Sequence, residues 1–277
     1  MLELAVDNDL CIGCGACISD CVREALVMKE GRPALLPEPK EVCIGCQHCM
    51  AVCPTGALGI MGIDPKASIS VPAEIPSEVQ MEMLIKSRRT TRQYRQETVD
   101  NETLTRLLNI TAYAPTGGNC DQVLLTVIDQ PDTMAKFRDQ TYAALEHHID
   151  LGTLPAELDK FIEAAENWKK GKDTLFRGAP HMVVASEPIS AISPIPDCLI
   201  ALTYFELQAA TMGLGTTWCG LVKTVLTEIT PELVPELNIP EDHEIGYVML
   251  FGRPKVRYHR TVQRISHRVN HVRLTRG

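Results

Sequence analysis

Eight of the eleven cysteines in this 277-residue chain fall into two short runs with one spacing. Cys11, Cys14, Cys17 and Cys21 recur thirty-two positions later as Cys43, Cys46, Cys49 and Cys53. The equivalence extends to the flanks, where Ile12-Gly13 and Ala25-Leu26 correspond to Ile44-Gly45 and Ala57-Leu58. One small unit has been written twice. No basic run followed by an apolar stretch opens the chain, so the thiols are expected in a reducing compartment, the cytoplasm, where thiolates hold metal more often than they form disulfides. The longest apolar segment, near residues 198–212, is interrupted by Thr203, Glu206 and Gln208, and no membrane insertion is expected.

The spacing CxxCxxCxxxC, with Pro54 directly after the last cysteine, resembles the bacterial two-[4Fe-4S] ferredoxins over about sixty residues. The resemblance implies crossed ligation. One cluster would take Cys11, Cys14, Cys17 and Cys53, the other Cys43, Cys46, Cys49 and Cys21. Val22 stands where the ferredoxins often carry proline, which removes a rigid turn but no ligand. The alternative is structural zinc, but zinc sites usually separate two Cys pairs by a longer loop and do not place a third cysteine at once. Alone, such a module would carry single electrons and would have little room for a substrate.

Residues 63–80 contain Pro65, Pro72 and Pro76 with little hydrophobic periodicity, the pattern of a semi-extended linker between a domain at 1–62 and another at 81–277. Ser77 and Gln80 form a capping-box pattern that opens a helix through Met81, Leu84 and Ile85. Its end carries Arg88, Arg89 and Arg92, which either face solvent or hold an anion. A second helix presents Leu104, Leu107 and Leu108 on one face, and the loop at 113–122 is rich in small and amide side chains, which let a backbone approach a ligand closely. A strand-like MVVA at 182–185 leads to a long apolar helix from about Asp197 to Met212, then to GLGTTWCG at 213–220, read as a turn. Residues 131–178 are helical in pattern without ligand spacing. Adjacent helical residues point about 100° apart, so His147 and His148 are expected at the surface and poorly placed to share a metal.

Taken together, residues 88–94, 115–119, 218–220 and 252–264 resemble the FMN-dependent nitroreductases, in the branch that carries an N-terminal ferredoxin module. The resemblance implies two α+β domains, the second a central sheet flanked by helices, working as a homodimer with FMN at its interface. It assigns Arg88, Arg89 and Thr90 to the phosphate and ribityl end of FMN and Arg92 to N1 and O2 of the ring. The loop with Pro115, Thr116 and Asn119 would serve the flavin of the partner subunit, and Trp218-Cys219-Gly220 would lie along the N5 edge. Gln122-Val123-Leu124 replaces the Gln-Pro-Trp usual there, which removes part of a ring-packing wall. Cys219 is otherwise a buried thiol packed as a small hydrophobe. The segment from Phe251 to Gly277 holds eight Lys and Arg residues, Arg276 among them, and no acidic one, and the resemblance points to Arg260 and Arg264 for the phosphate.

The formal charge of −8 argues against nucleic acid as a partner, because phosphate binding needs a basic surface. The expected activity is conversion of single electrons, delivered by a reduced carrier and passed through the clusters, into hydride transfer from FMN to a small electrophile: a nitro compound, quinone or activated alkene. Joining the modules keeps the donor at high effective concentration. The alternatives are an electron-transfer protein with a protein acceptor and an iron-sulfur sensor whose basic C-terminus binds DNA. No GxGxxG dinucleotide fingerprint occurs, and no obligatory general acid is evident.

Overall fold

The computed structural model describes residues 2–37, 42–71, 75–264 and 268–273. Pro72 and Arg276, singled out above, lie outside the described residues, as does part of the 63–80 linker. The chain divides into two compact units: Met1–Ile75 with Pro115–Gln122 and Ala191–Ser193, and the remainder from Pro76 onward.

In the first unit the two copies of the repeat fold alike. Strand β1 (Leu4–Val6) pairs antiparallel with β4 (Leu58–Ile60), and β2 (Leu26–Lys29) pairs with β3 (Arg32–Leu35). Glu30 and Gly31 join β2 to β3 with φ of 51° and 76°, the two successive positive values that a tight hairpin turn with the twist of its strands requires. Helical turns α1 (Ala16–Ser19) and α2 (His48–Ala51) each start after a left-handed residue, Gly15 and Gln47, at matching positions of the repeat. The core is small: Cys17, Leu26, Cys49, Met50, Leu58 and Ile60.

The second unit is α+β, with helices on both faces of one sheet. Helix α3 (Glu78–Ser87) opens with the capping box expected from sequence: Ser77 Oγ accepts from Gln80 N at 3.3 Å and Gln80 Oε1 from Ser77 N at 2.9 Å. This helix begins inside the segment read as linker. Its ten residues bury no side chain. Helix α4 (Asn101–Thr111) is capped by Asp100, which accepts from Thr103 N at 2.8 Å, and buries Leu104 and Leu107. After β5 (Leu124–Ile128) come α5 (Pro131–Asp150) and α6 (Lys160–Lys169), as the helical pattern of 131–178 implies. His147 is exposed; His148 binds Thr153 and Glu232.

Strands β5, β6 (His181–Pro188), β8 (His243–Gly252) and β7 (Gly215–Trp218) lie side by side in that order, all antiparallel. Successive side chains of a strand point to opposite faces. Accordingly Met182 and Val184 enter the core made by α5 and α6, while Val183 and Ala185 enter the core made by α4 and α7 (Pro194–Thr211). Helix α7 places Cys198, Ala201, Leu202, Phe205 and Ala209 in helical spacing against that second face. The stretch read as a turn is instead the edge strand β7. Its β-branched Thr216 and Thr217 suit a half-buried pleat, and neither glycine at 213 or 215 interrupts the pairing of 215–218 with β8.

Candidate functional site

The cysteines form two sets. Cys11, Cys14, Cys17 and Cys53 line one cavity, and Cys21, Cys43, Cys46 and Cys49 line another. Each cavity therefore takes three thiols from one copy of the repeat and its fourth from the other. Those fourth cysteines are held identically: Cys21 Sγ accepts from Ala25 N, and Cys53 Sγ from Ala57 N, both at 3.3 Å. Among the described residues no group of three or more His, Cys, Asp or Glu side chains is placed to hold a single metal ion. Burial pushes the Cys49 thiol up to about 11, and the neighbouring Cys21, Cys43 and Cys46 add to this by like-charge repulsion. A cationic cluster would reverse both effects, since it binds thiolates.

The second unit carries a basic cleft of about 550 Å³. Its construction starts at the edge of the sheet. The unpaired side of β7 takes up the segment after α3: Thr90 bridges Thr216 in parallel, and Thr91 N donates to Thr216 O at 2.9 Å. The same segment then pairs with the chain leaving β8. Tyr94 bridges Pro254, Arg95 N donates to Arg253 O, and Lys255 N donates to Gln93 O. Two stretches more than 150 residues apart are thereby laid side by side, and their cations meet: Arg88 and Arg89 from one, Arg253, Lys255 and Arg257 from the other. Arg88 Nη1 is bonded to Glu206 at 3.0 Å, and Thr216 Oγ1 donates to the same carboxylate oxygen. Glu206 thus fixes one side of the Arg88 guanidinium, and Arg88 lines the cleft. Among the described residues Arg89 Nε is buried without a hydrogen-bond partner, and Tyr258 Oη closes the end of the cleft by donating to Thr90 O at 3.1 Å. No carboxylate among the described residues lines the cleft, a donor set that suits an anion with several oxygens.

A smaller cavity of about 230 Å³ lies beyond the same strand, lined by Thr90, Arg92, Arg177, Thr217 and the stretch Trp218-Cys219-Gly220. Thr217 donates its hydroxyl proton to Thr91 O, so Tyr94 Oη is the donor in its 2.8 Å bond to Thr217. Burial holds the Tyr94 phenol far above its ordinary range. Trp218 stands edge-on to Tyr247, 5.3 Å between centroids. Gly220 packs closely on Tyr247, since a Cβ there would lie 2.9 Å from Tyr247 Oη and would require that side chain to shift. Cys219 is 4% exposed. Its N–H is bonded to Val248 O and its thiol to Leu175 O, and burial pushes that thiol up to about 11.

The residues expected from sequence are thus distributed over both units. Arg88 and Arg89 share the cleft, Thr90, Arg92, Trp218, Cys219 and Gly220 share the smaller cavity, and Arg260 and Arg264 are exposed and line neither. Pro115, Thr116 and Asn119 belong to the first unit, where Asn119 Nδ2 donates to Ile44 O at 3.0 Å, between Cys43 and Cys46. Sequence reasoning did not single out Arg253, Lys255 and Arg257 from the basic run, although their alternation marks one side of an extended segment. It missed Glu206 and Arg177, for which no local pattern exists.

Comparison with known proteins gives two family matches: the Nitroreductase family over residues 85–253, and a 4Fe-4S dicluster domain over residues 10–60. No match was found among the curated proteins. Among solved structures, the chain is similar to a nitroreductase with bound FMN from Bacteroides fragilis, at 20% identity and a TM-score of 0.56, over 70% of this chain and 100% of that one. An FMN-dependent nitroreductase from Clostridium difficile matches at 20% identity and 0.53, over 71% and 100% of the two chains. A nitroreductase with bound FMN from Desulfitobacterium hafniense matches at 21% and 0.52, over 68% and 97%. At such identities these likenesses concern the fold. Among the described residues no helix is long and apolar enough to cross a membrane.

Proposed function

That the chain belongs to the nitroreductase family, with a 4Fe-4S dicluster domain ahead of the matched region, is the premise from which we propose its function. It is an iron-sulfur flavoprotein oxidoreductase that takes electrons singly from a reduced carrier and delivers them in pairs to a small electrophile such as a nitro compound, quinone or activated alkene. The observation that carries this reading is the presence, in one chain, of two four-cysteine cavities and a carboxylate-free basic cleft within the family's fold.

When bound, [4Fe-4S] clusters carry one electron each and FMN stores two and releases them as a hydride. The protein residues supply the rest. Cys11, Cys14, Cys17 and Cys53 hold one cluster and Cys21, Cys43, Cys46 and Cys49 the other, with the Ala25 and Ala57 amides donating to a ligand sulfur at each. Such N–H···S bonds raise a cluster's potential. Arg88, Arg89, Lys255 and Arg257 hold the FMN phosphate, with Glu206 and Thr216 keeping Arg88 in place. Arg92 and the stretch Trp218-Cys219-Gly220, which line one cavity, would contact the flavin ring there. Cys219 orders the end of β7 from within the core: its thiol is buried and donates to Leu175 O, and burial raises its pKa to about 11, which makes it a weak acid. A homodimer completes the flavin site. The unburied helix α3 supports an interface, since an isolated ten-residue helix is marginal in water.

Anaerobic reductive titration of the purified chain, with iron, zinc and FMN analysis and sedimentation, tests this reading. The expected result is about eight irons and one FMN per chain, a mass of two chains, and reoxidation by a nitroaromatic or quinone. Iron without flavin, or a flavin-bearing monomer, would overturn the corresponding part.

A further inference from the structure

The resemblance to flavoproteins calls for one cation beside the ring, and Arg92 meets it. The cavity holds a second. Arg177 enters from the loop between α6 and β6, on the side of Cys219, whereas Arg92 enters from the segment beside Thr217. Among the described residues neither guanidinium forms a hydrogen bond or an ion pair.

The loop is built to hold Arg177 where it is. Arg177 has φ of +57°, in the left-handed region that non-glycine residues rarely adopt. The conformation is strained and persists only where the surroundings impose it. Here Asp173 imposes it. Its Oδ1 accepts from Phe176 N and its Oδ2 from Gly178 N, both at 2.8 Å, so the two bonds bracket Arg177. Asp173 is itself fixed by Arg138 at 3.1 Å and by the Tyr142 hydroxyl at 2.9 Å. The loop thus accepts a conformational penalty to hold a charge, without a counter-ion among the described residues, against the cavity. The same charge is felt at the neighbouring Cys219 thiol.

Resting on the proposed function, we infer that Arg177 is a second cationic contact to the flavin, which together with Arg92 stabilises the anionic reduced ring and raises its potential, so that electrons pass more readily from the clusters to the ring. Opposite charges a few ångström apart attract even where water screens them in part, and because Arg177 is half-buried whereas Arg92 is exposed, the second cation makes electron uptake more favourable than Arg92 alone would.

The test uses the full chain with its cofactors and two variants. Arg177→Gly removes the charge at a position whose φ suits glycine, so folding is preserved or improved; Arg177→Lys keeps the charge. Sulfite, which adds to flavin N5 to give an anionic adduct, is titrated by flavin absorbance, beside the flavin midpoint potential and the melting temperature. Arg177→Gly is expected to weaken sulfite binding about tenfold, the equivalent of one pKa unit of charge interaction, and to lower the potential, with Arg177→Lys near wild type. Loss of flavin from Arg177→Gly at an unchanged melting temperature would equally support the contact. Full flavin with wild-type sulfite affinity and potential in Arg177→Gly would overturn the inference and leave the proposed function standing, even if binding of an aromatic carboxylate such as 4-nitrobenzoate were lost, because Arg177 would then serve the substrate. A wild-type chain that neither contains nor takes up flavin would overturn the proposed function, and this inference with it.

Discussion

Glu187, on β6, is fully buried, and among the described residues neither of its carboxylate oxygens has a hydrogen-bond partner. Burial, and the charge of Asp197 on the following helix, raise its pKa above the ordinary 4.5. A raised carboxyl favours its neutral form in the fold. Its contribution to stability is therefore complete below about 4.5 and is lost as pH rises through the folded-state value. Glu187→Gln is accordingly expected to stabilise the protein by roughly 1–3 kcal/mol at pH 8 and by much less near pH 5, measured as urea midpoints at the two pH values. An equal gain at both would show that the carboxyl does not titrate in this range. None of this is visible in the sequence, where Glu187 follows a strand-like apolar run and looks like its solvent-facing end. Arg177 was illegible for the same reason: its role depends on Asp173, Arg138 and Tyr142 meeting in three dimensions. The Arg88-Arg89 pair was legible as crowded charge that either faces solvent or holds an anion, because cations at a helix end repel one another unless one of these separates them. Its C-terminal counterpart was not, because the bridge between Tyr94 and Pro254 decides which arginines come close.

At the scale of elements, the local signals were strongest. The capping box of α3, the apolar helix α7 and the continuous apolar run of β6, buried on both faces, each follow from side-chain pattern and cap chemistry. The edge strand β7 did not, since four residues flanked by glycines carry too short a pattern to distinguish a strand from a turn. Yet β7 organises the cleft. A Cβ on Gly215 would collide with the Thr91 side chain, so the segment carrying Arg88 to Arg92 lies against the strand only because that position is glycine. Gly215→Ala is expected to push this segment off the edge of the sheet, weakening FMN retention at least about tenfold and destabilising the unit by about 1–3 kcal/mol. Equilibrium dialysis against free FMN, alongside thermal unfolding, checks both. Unchanged retention would mean that the segment can shift without loss of the site.

For the whole molecule, the two units differ in what holds them together. The second has two extensive cores, one on each face of a sheet. Among the described residues the first has one packed cluster of six buried side chains, two of which are cysteines of the proposed cluster sets. So small a core is expected to depend on its metal, as small metal-binding domains generally do. Anaerobic chelation of iron should therefore make residues 1–75 sensitive to protease while the second unit keeps a cooperative thermal transition. Protection of the first unit after complete iron removal would contradict this. The assignment of residues 115–122 and 191–193 to the first unit has no signal in the sequence. Those two short loops lie far along the chain and carry no cysteine pattern.

The exchange of Cys21 and Cys53 between the two cavities also has a consequence in time. A chain emerging during synthesis presents Cys11, Cys14 and Cys17 first, but the fourth thiol of that cavity is residue 53. At about 5–20 residues per second, three thiols wait some seconds for the last, and the earlier half cannot be finished before the later one has been made. Both cavities then reach completion together, so a nascent chain interrupted between the repeats would carry no finished cluster to be lost with it.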